Sequence, residues 1–267
     1  MRSMVDPLLV SGLLSASLAS IVAGLVGVLI NYTKTQFLAI ESLHMIIAAS
    51  LVGGLVAWYY RAVPSELVSL ITMALFIFIA VLMLEKGFSQ DTSMGFTIAV
   101  ASMIASLFSY YVALLTPGGV SYVYTVLFGN PFLIPLSSIV AYLLTGVLLV
   151  LVLLFLWRVF IYIAFDPETF EILRGGARIY RWILYMLIAF SAIYITRLVG
   201  AIPAHIALMM PGIIASRVEQ RSSYIAITFS FLSSITSIII SYQVGIPYGA
   251  LLGIISISLY LLLLVRR

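Results

Sequence analysis

The feature that most constrains the fold of this chain is a series of long apolar runs. A run of about 20 apolar residues is enough for a helix to cross the hydrocarbon core of a bilayer. We therefore predict an all-α fold, a polytopic membrane helical bundle with eight or nine transmembrane helices. The candidate segments are Leu8–Ile30, Phe37–Trp58, Leu67–Leu84, Gly95–Leu115, Leu133–Phe155 or slightly beyond, Trp182–Thr196, Ile202–Ser216, Tyr224–Ser241 and Tyr248–Val265. Ile202–Ser216 is short for a full crossing, which is why the count is left at eight or nine.

The composition limits the chain to one membrane domain. Of its 267 residues 64% are apolar and 8% are charged, and the mean hydropathy is +1.24. The connections are brief and carry turn residues, so we predict a single transmembrane domain over residues 1–267 in contact with the lipid bilayer. The absence of cysteine excludes thiolate metal sites and disulfides. A net charge of +4 is typical of positively charged cytoplasmic loops and does not favour nucleic acid as a partner.

The distribution of lysine and arginine predicts the orientation. Cytoplasmic loops of membrane proteins carry an excess of these residues. The connections at 116–131 and 242–247 carry no charge, so we expect them outside the cell. With nine crossings this places the C-terminus in the cytoplasm and the N-terminus outside; a re-entrant Ile202–Ser216 segment would move the N-terminus inside. The cytoplasmic basic residues would be Lys34, Arg158, Arg174, Arg178, Arg181, Arg217, Arg221, Arg266 and Arg267.

One strongly charged island, Phe165–Arg181, interrupts the apolar sequence. It contains the start and stop signals of a two-turn helix, which we expect on the cytoplasmic side. Asp166 can cap the N-terminus and Pro167 suits the first helical position. Acidic residues near the start and a basic residue near the end suit the helix dipole, and paired glycines can end the helix. The acidic residues are Glu168 and Glu171, the basic residue is Arg174, and the glycines are Gly175 and Gly176. Phe170, Ile172 and Leu173 would form an apolar side of this helix.

Two histidines lie within apolar segments, where ionisable groups are costly and often functional. His44 follows Glu41 by three residues, so both side chains would share one helical face. A carboxylate and a neutral imidazole are ligands for manganese, iron or zinc. The alternative is a polar pair that bonds to a neighbouring helix or faces a water-filled cavity.

His205 is the second intramembrane histidine and a candidate metal ligand or gate residue. It lies two residues after Pro203, so it could instead bond a backbone carbonyl freed by the proline. Pro211 and Gly212 interrupt the same segment. A broken helix exposes carbonyls to a cation, although a structural kink is the simpler interpretation.

Catalytic motifs are missing from the sequence. Its lysines, Lys34 and Lys86, do not follow a phosphate-binding glycine loop, and no acid, base and nucleophile residues cluster. We predict a transport protein that is not itself an enzyme. If transport uses ATP, another chain binds the ATP, and the capped helix is a surface by which that chain could move the bundle.

Three further stretches have distinctive sequences: LFGNP at 127–131, FDPETFEILRGG at 165–176 and VGAIPAHIALMMPGIIASR at 199–217. In order and spacing they resemble the ABC-3 family of membrane permeases. The second apolar segment resembles the family's Asp-Ala-Leu-Ser-His-Ala block, with His44 on the histidine and Ile40 where the family has aspartate. His205 has no counterpart in the family's common block.

The resemblance implies an importer of zinc, manganese or iron, built as a homodimer with two ABC ATPase subunits and an extracytoplasmic metal-binding protein. Metal would pass Glu41 and His44, with His205 as a further candidate. No cofactor is implied for this chain; the metal is cargo and ATP binds to the partner subunit. The alternatives are a secondary transporter or channel that works alone, and a permease for metal chelates or cobalamin. ATPase coupling would fall on Phe165, Asp166, Pro167, Glu168, Phe170, Leu173 and Gly175.

Overall fold

A computed structural model describes residues 6–216 and 222–265. Over these ranges the chain forms eleven α-helices and no strand, with a short 3-10 turn at Pro131–Leu133. The helices are α1 (Pro7–Tyr32), α2 (Gln36–Tyr59), α3 (Ser65–Glu85), α4 (Gln90–Leu115), α5 (Gly119–Phe128), α6 (Leu136–Phe165), α7 (Pro167–Arg174), α8 (Ala177–Val199), α9 (Ala201–Ala215), α10 (Ser222–Val244) and α11 (Tyr248–Val265).

Helix α1 forms the centre of the bundle and packs against α6, α8, α9 and α10. Its buried face is rich in small residues, including Ala16, Ala19 and Ala23. Small side chains let helix backbones approach closely, which is how helices associate where lipid competes for apolar contacts. A second cluster joins α2, α3, α4 and α8 around Met45, so α2 and α8 belong to both halves of the core.

The contacts define two ends of the bundle. At the first, which we call the α5 end, the Tyr242 hydroxyl donates to Asp6, and Ser11 Oγ donates to the Ile134 carbonyl at 2.6 Å. At the second, the α7 end, Arg178 and Glu85 form an ion pair at 2.6 Å. The uncharged connections group at the α5 end, as the sequence predicted. Residues 217–221 and 266–267, which carry part of the basic signal, lie outside the described ranges.

Seven of the nine predicted apolar segments fall within helices; Leu133–Phe155 begins three residues before α6, and Ile202–Ser216 ends one residue after α9. Seven helices are long and apolar enough to cross a membrane: α1, α2, α3, α4, α6, α8 and α10. Helix α9 is shorter, and so is the apolar stretch Tyr248–Leu262 of α11. The number of crossings therefore stays a prediction, whereas the polytopic helical bundle is confirmed.

Helix α5 was missed, because its sequence is bounded by turn signals and was interpreted as part of an external loop. It has ten residues and starts after Gly118, whose φ is 71°. The Tyr122 hydroxyl donates to the Ser50 carbonyl of α2 at 3.0 Å, so α5 packs beside α2 instead of extending into solvent. This tertiary contact has no local sequence signal.

Helices α1 and α9 touch backbone to backbone. Gly27 faces the Leu208 carbonyl and Gly212, and a Cβ at Gly212 would overlap the Gly27 carbonyl oxygen. Pro211 precedes this contact inside α9. Pro211 and Gly212 thus lie at a close packing contact, and the kink expected there stays a prediction.

We expect Gly212→Ala to destabilise the protein by about 1–3 kcal/mol, since the new methyl group meets backbone that cannot move aside. The measurement is the thermal unfolding midpoint in detergent. Gly95→Ala in α4 is the matched control, because a Cβ there meets no atom within 4 Å. An unchanged unfolding midpoint for Gly212→Ala would show that α1 and α9 can move apart at this contact without loss of stability.

Candidate functional site

His44 and His205 lie together although 161 residues separate them. They line one cleft of about 300 Å³ between α2 and α9. The other lining residues are apolar: Leu43, Ile47, Ala201, Ile202 and Ile206. Both imidazoles are half-buried. The structure therefore brings two of the three predicted metal ligands to one site.

The orientation of His44 is fixed by its own helix. Its Nδ1 lies 3.2 Å from the carbonyl oxygen of Ile40, one turn earlier in α2. A carbonyl can only accept a hydrogen bond, so this contact assigns the proton to Nδ1. Nε2 then keeps its lone pair. A backbone carbonyl that orients a histidine in this way is typical of metal-ligating histidines.

Glu41 is placed differently from His44. It is fully buried, with 0% exposure, and is not among the residues that line the cleft. Neither carboxyl oxygen has a hydrogen-bond partner within the described part of the chain. Glu41 lies one turn before Met45, which packs against α3 and α8 in the core. Its role as a metal ligand stays a prediction.

His205 owes its position to the α8–α9 junction. Gly200 connects the two helices with a φ of 94°, a left-handed conformation that favours glycine. Its backbone packs closely on Gly129 in the connection after α5. Pro203 packs against Gly249 of α11. These contacts hold the first turn of α9 and direct His205 into the cleft.

The predicted capped helix is present as α7 at the other end of the bundle. Asp166 accepts a hydrogen bond from the Thr169 amide at 2.9 Å, and this bond lowers the pKa of the Asp166 carboxyl. The cap is therefore complete at neutral pH and is lost as the pH falls through that lowered pKa. Gly175 and Gly176 end the helix with φ values of 68° and 77°. The predicted start and stop signals are confirmed.

Phe170 does not lie on the exposed side of α7 with Ile172 and Leu173, with which the sequence grouped it as one apolar side. It is 1% exposed and packs edge-on against Tyr162 of α6 and Tyr180 of α8. The amphipathic period of α7 turns Phe170 toward the bundle, so it anchors the helix. Ile172 and Leu173 remain 84% and 69% exposed.

Glu171 provides a link between α7 and α8 that sequence reasoning missed. Its carboxylate accepts hydrogen bonds from the amides of Gly176 at 3.2 Å and Ala177 at 2.6 Å, which lie at the start of α8. Arg178, one residue later, pairs with Glu85 at the end of α3. The start of α8 is thus tied to α7 and α3. The local sequence signal that could have revealed this cap is an acidic residue placed five or six positions before the first residues of the next helix.

The remaining coupling candidates lie around α7. Phe165 is 71% exposed at the end of α6, and Pro167 lines a cavity of about 180 Å³ that also contacts Tyr180 and Arg181. Glu168 is exposed on the first turn. We give the name α7 surface to the set formed by Phe165, Pro167, Glu168, Ile172 and Leu173.

The bundle of long apolar helices, with a short capped helix outside its predicted spans, defines a multi-pass membrane protein. The chain belongs to the ABC 3 transport family, which it matches over residues 5–267. It is therefore a membrane transport subunit, and the family resemblance read from the sequence is confirmed.

Solved structures show the same fold. PsaBC from Streptococcus pneumoniae in complex with Fab is similar with a TM-score of 0.83 and 17% identity, over 96% of this chain and 90% of that chain. An inward-facing structure assigned to the metal-chelate type of ABC transporter has a TM-score of 0.68 and 16% identity, over 100% of this chain and 90% of that one. A search of curated proteins finds no match.

Proposed function

We propose that this chain is the membrane permease of an ABC importer for divalent transition-metal ions, in the range of zinc, manganese and iron. The observation that carries the proposal is the cleft in which His44 and His205 meet between α2 and α9. Neutral imidazole binds these metals and has little affinity for alkali or alkaline-earth ions. Membership of the ABC 3 transport family and the likeness to a metal-chelate type transporter support it.

In this proposal the α7 surface binds an ABC ATPase subunit. Ile172 and Leu173 expose large apolar side chains on a helix that lies outside the predicted spans. Exposed apolar side chains rimmed by charges are typical of protein interfaces. Energy from ATP hydrolysed on the partner would enter through α7, pass to α8 through Glu171, and reach the cleft because α8 packs against both α2 and α9.

The charge distribution supports a cytoplasmic α7 end. Of the described lysines and arginines, six lie at or near the α7 end and two, Arg61 and Arg197, near the α5 end. Cytoplasmic loops carry such an excess. The C-terminus would then be cytoplasmic, since α11 runs from the α5 end toward the α7 end. The six are Lys34, Lys86, Arg158, Arg174, Arg178 and Arg181.

The complete importer would contain two copies of this chain, two ATPase subunits and an extracytoplasmic metal-binding protein docked at the α5 end. Residues 1–267 form one transmembrane permease domain in this assembly. Metal is its cargo and ATP stays on the partner.

The test is metal-stimulated ATP hydrolysis and uptake in proteoliposomes that contain all components. Metal uptake by this chain alone, without an ATPase, would replace the proposal with a secondary transporter or channel.

We expect Glu171→Ala to uncouple ATP hydrolysis from transport. The substitution removes the cap that joins α7 to α8 but leaves the exposed Ile172 and Leu173 side chains in place. The ATPase should therefore still copurify, while the metal transported per ATP falls severalfold. Glu66→Ala, an exposed acid at the α5 end, is the control. A normal ratio of metal transported to ATP hydrolysed in Glu171→Ala would show that the cap does not transmit movement from α7 to α8.

A further inference from the structure

A pocket of about 220 Å³ lies at the α7 end, between the last turns of α3 and the first turns of α8. We call it the α3–α8 pocket. Three of its lining residues are charged: Glu85 at the end of α3, and Arg178 and Arg181 on α8. Because two arginines line the pocket with one carboxylate, its lining carries a net positive charge. The pocket is therefore complementary to an anion.

The charge that remains uncompensated in this pocket is that of Arg181. Both carboxylate oxygens of Glu85 accept hydrogen bonds from Arg178, at 2.7 and 2.6 Å, and Trp182 Nε1 donates to the same carboxylate at 3.1 Å. Arg181 has no hydrogen-bond or ion-pair partner among residues 6–216 and 222–265.

A second donor lies beside Arg181. Tyr185 is one turn further along α8, on the same helical face, and also lines the pocket. Over the described ranges its hydroxyl makes no hydrogen bond. The guanidinium of Arg181 and the hydroxyl of Tyr185 can therefore both donate to an anion that enters the pocket.

An apolar stripe on α3 leads to the same place. Ile71, Leu75 and Phe78 are 61%, 58% and 48% exposed and recur at the spacing of one helical face. We call these three residues the α3 stripe. The ring of Phe78 lies 6.1 Å from that of Trp182, which lines the pocket. Because α3 is long and apolar enough to cross a membrane, its exposed stripe contacts acyl chains in a bilayer, and the pocket lies near the headgroups.

We propose that the α3–α8 pocket binds an anionic phospholipid, with the phosphate on Arg181 and Tyr185 and an acyl chain along the α3 stripe. A guanidinium binds phosphate through two parallel hydrogen bonds, and basic pockets between membrane helices bind lipid headgroups. A free phosphate ion would gain nothing from the α3 stripe, so the observations favour the lipid. The bound lipid bridges α3 and α8 beside their ion pair and reinforces the contact between these helices.

The test uses the fluorescence of Trp182 in the full-length chain, reconstituted in lipid nanodiscs. The chain has three tryptophans, so Trp58→Phe with Trp157→Phe leaves Trp182 as the only one. Brominated acyl chains quench a tryptophan that they contact. We expect brominated phosphatidylglycerol to quench Trp182 with an apparent affinity about fivefold higher than that of brominated phosphatidylcholine, the ratio expected for one arginine. Equal affinities for the two lipids would overturn the proposal.

Two arginine variants separate this pocket from general surface charge. Arg181→Gln removes the charge but keeps a polar side chain, and it should abolish the preference for phosphatidylglycerol. Arg158→Gln is the matched control, since Arg158 is exposed on α6 near the same end of the bundle and does not line the pocket. It should keep the preference. An equal loss in both variants would overturn the proposal, because the lipid would then follow the overall charge of the surface.

Two further measurements identify the bound group. Tyr185→Phe removes only the hydroxyl and should lower the preference for phosphatidylglycerol. Inorganic phosphate, added at constant ionic strength, should leave the quenching unchanged; recovery of Trp182 fluorescence would assign the pocket to free phosphate and overturn the lipid. The thermal unfolding midpoint of each variant in phosphatidylcholine checks its fold. The comparison of the two lipids needs no change in α8, so it tests the proposal even if Arg181→Gln does not fold. It also needs neither metal nor ATPase, so its outcome is independent of the proposed function.

Discussion

Replacing His44 with alanine is expected to abolish metal uptake, with a loss of at least about 100-fold, since the removed imidazole is a direct ligand in the proposed path. The side chain is half-buried and its ring is held by the Ile40 carbonyl rather than by another helix. Its removal should therefore leave the bundle intact. The measurement is radiolabelled zinc uptake into proteoliposomes, together with copurification of the ATPase subunit.

Met103→Ala is the control for this experiment, because Met103 is 62% exposed on α4 and lies outside the cleft. It should transport normally. Unchanged uptake in His44→Ala would remove the cleft from the transport path. Loss of both uptake and ATPase copurification would mean instead that His44 is needed for assembly.

The double substitution Ile172→Ser and Leu173→Ser is expected to weaken binding of the ATPase subunit strongly. These side chains are 84% and 69% exposed, and a few residues usually carry most of the binding energy of an interface. Binding should weaken by at least about tenfold while the chain remains folded, because neither side chain contributes to the core. Copurification and the ATPase rate of the reconstituted complex measure the effect.

A second double variant, Glu168→Ala with Phe170→Ala, distinguishes the surface of α7 from its anchor. Phe170 is buried against two tyrosines, and loss of a buried phenylalanine costs about 3–5 kcal/mol. This variant should lose the ATPase because α7 detaches, which faster amide hydrogen exchange in α7 would report. Tyr60→Ser, which alters an exposed residue near the α5 end, should bind normally. Normal coupling in both double variants would leave α7 as an ordered connection without a role in docking.

The sequence was sufficient for the helical bundle and for α7. Apolar runs, caps and glycine stops are local signals, and each predicted segment covers most of a helix because backbone groups in lipid must be satisfied within the segment. Helix α5 was missed because Tyr122 holds it against Ser50, a contact between residues 72 positions apart. Its flanking glycines indicated only turns.

The candidate site was predicted in part. Sequence spacing paired His44 with Glu41, whereas the structure pairs His44 with His205 in the cleft. Helical spacing places two side chains on neighbouring faces but does not say which neighbour each face meets. The partner of His44 depends on the packing of α2 against α9. The position of α9 depends in turn on glycine contacts with α1 and with the connection after α5, which are far away along the chain. The same reason explains why the inward orientation of Phe170 was not predicted.

The length of helix α8 determines how far its ends move when the helix tilts. It is a single rod of 23 residues without an internal proline, so its length is about 34 Å. If such a rod tilts by about 10° around its middle, each end moves by roughly 3 Å. A zinc–nitrogen bond is about 2.0–2.1 Å long. Because Gly200 joins the end of α8 directly to α9, a displacement of roughly 3 Å that is passed on to His205 exceeds the length of that bond and would be large enough to take this imidazole out of reach of a bound ion.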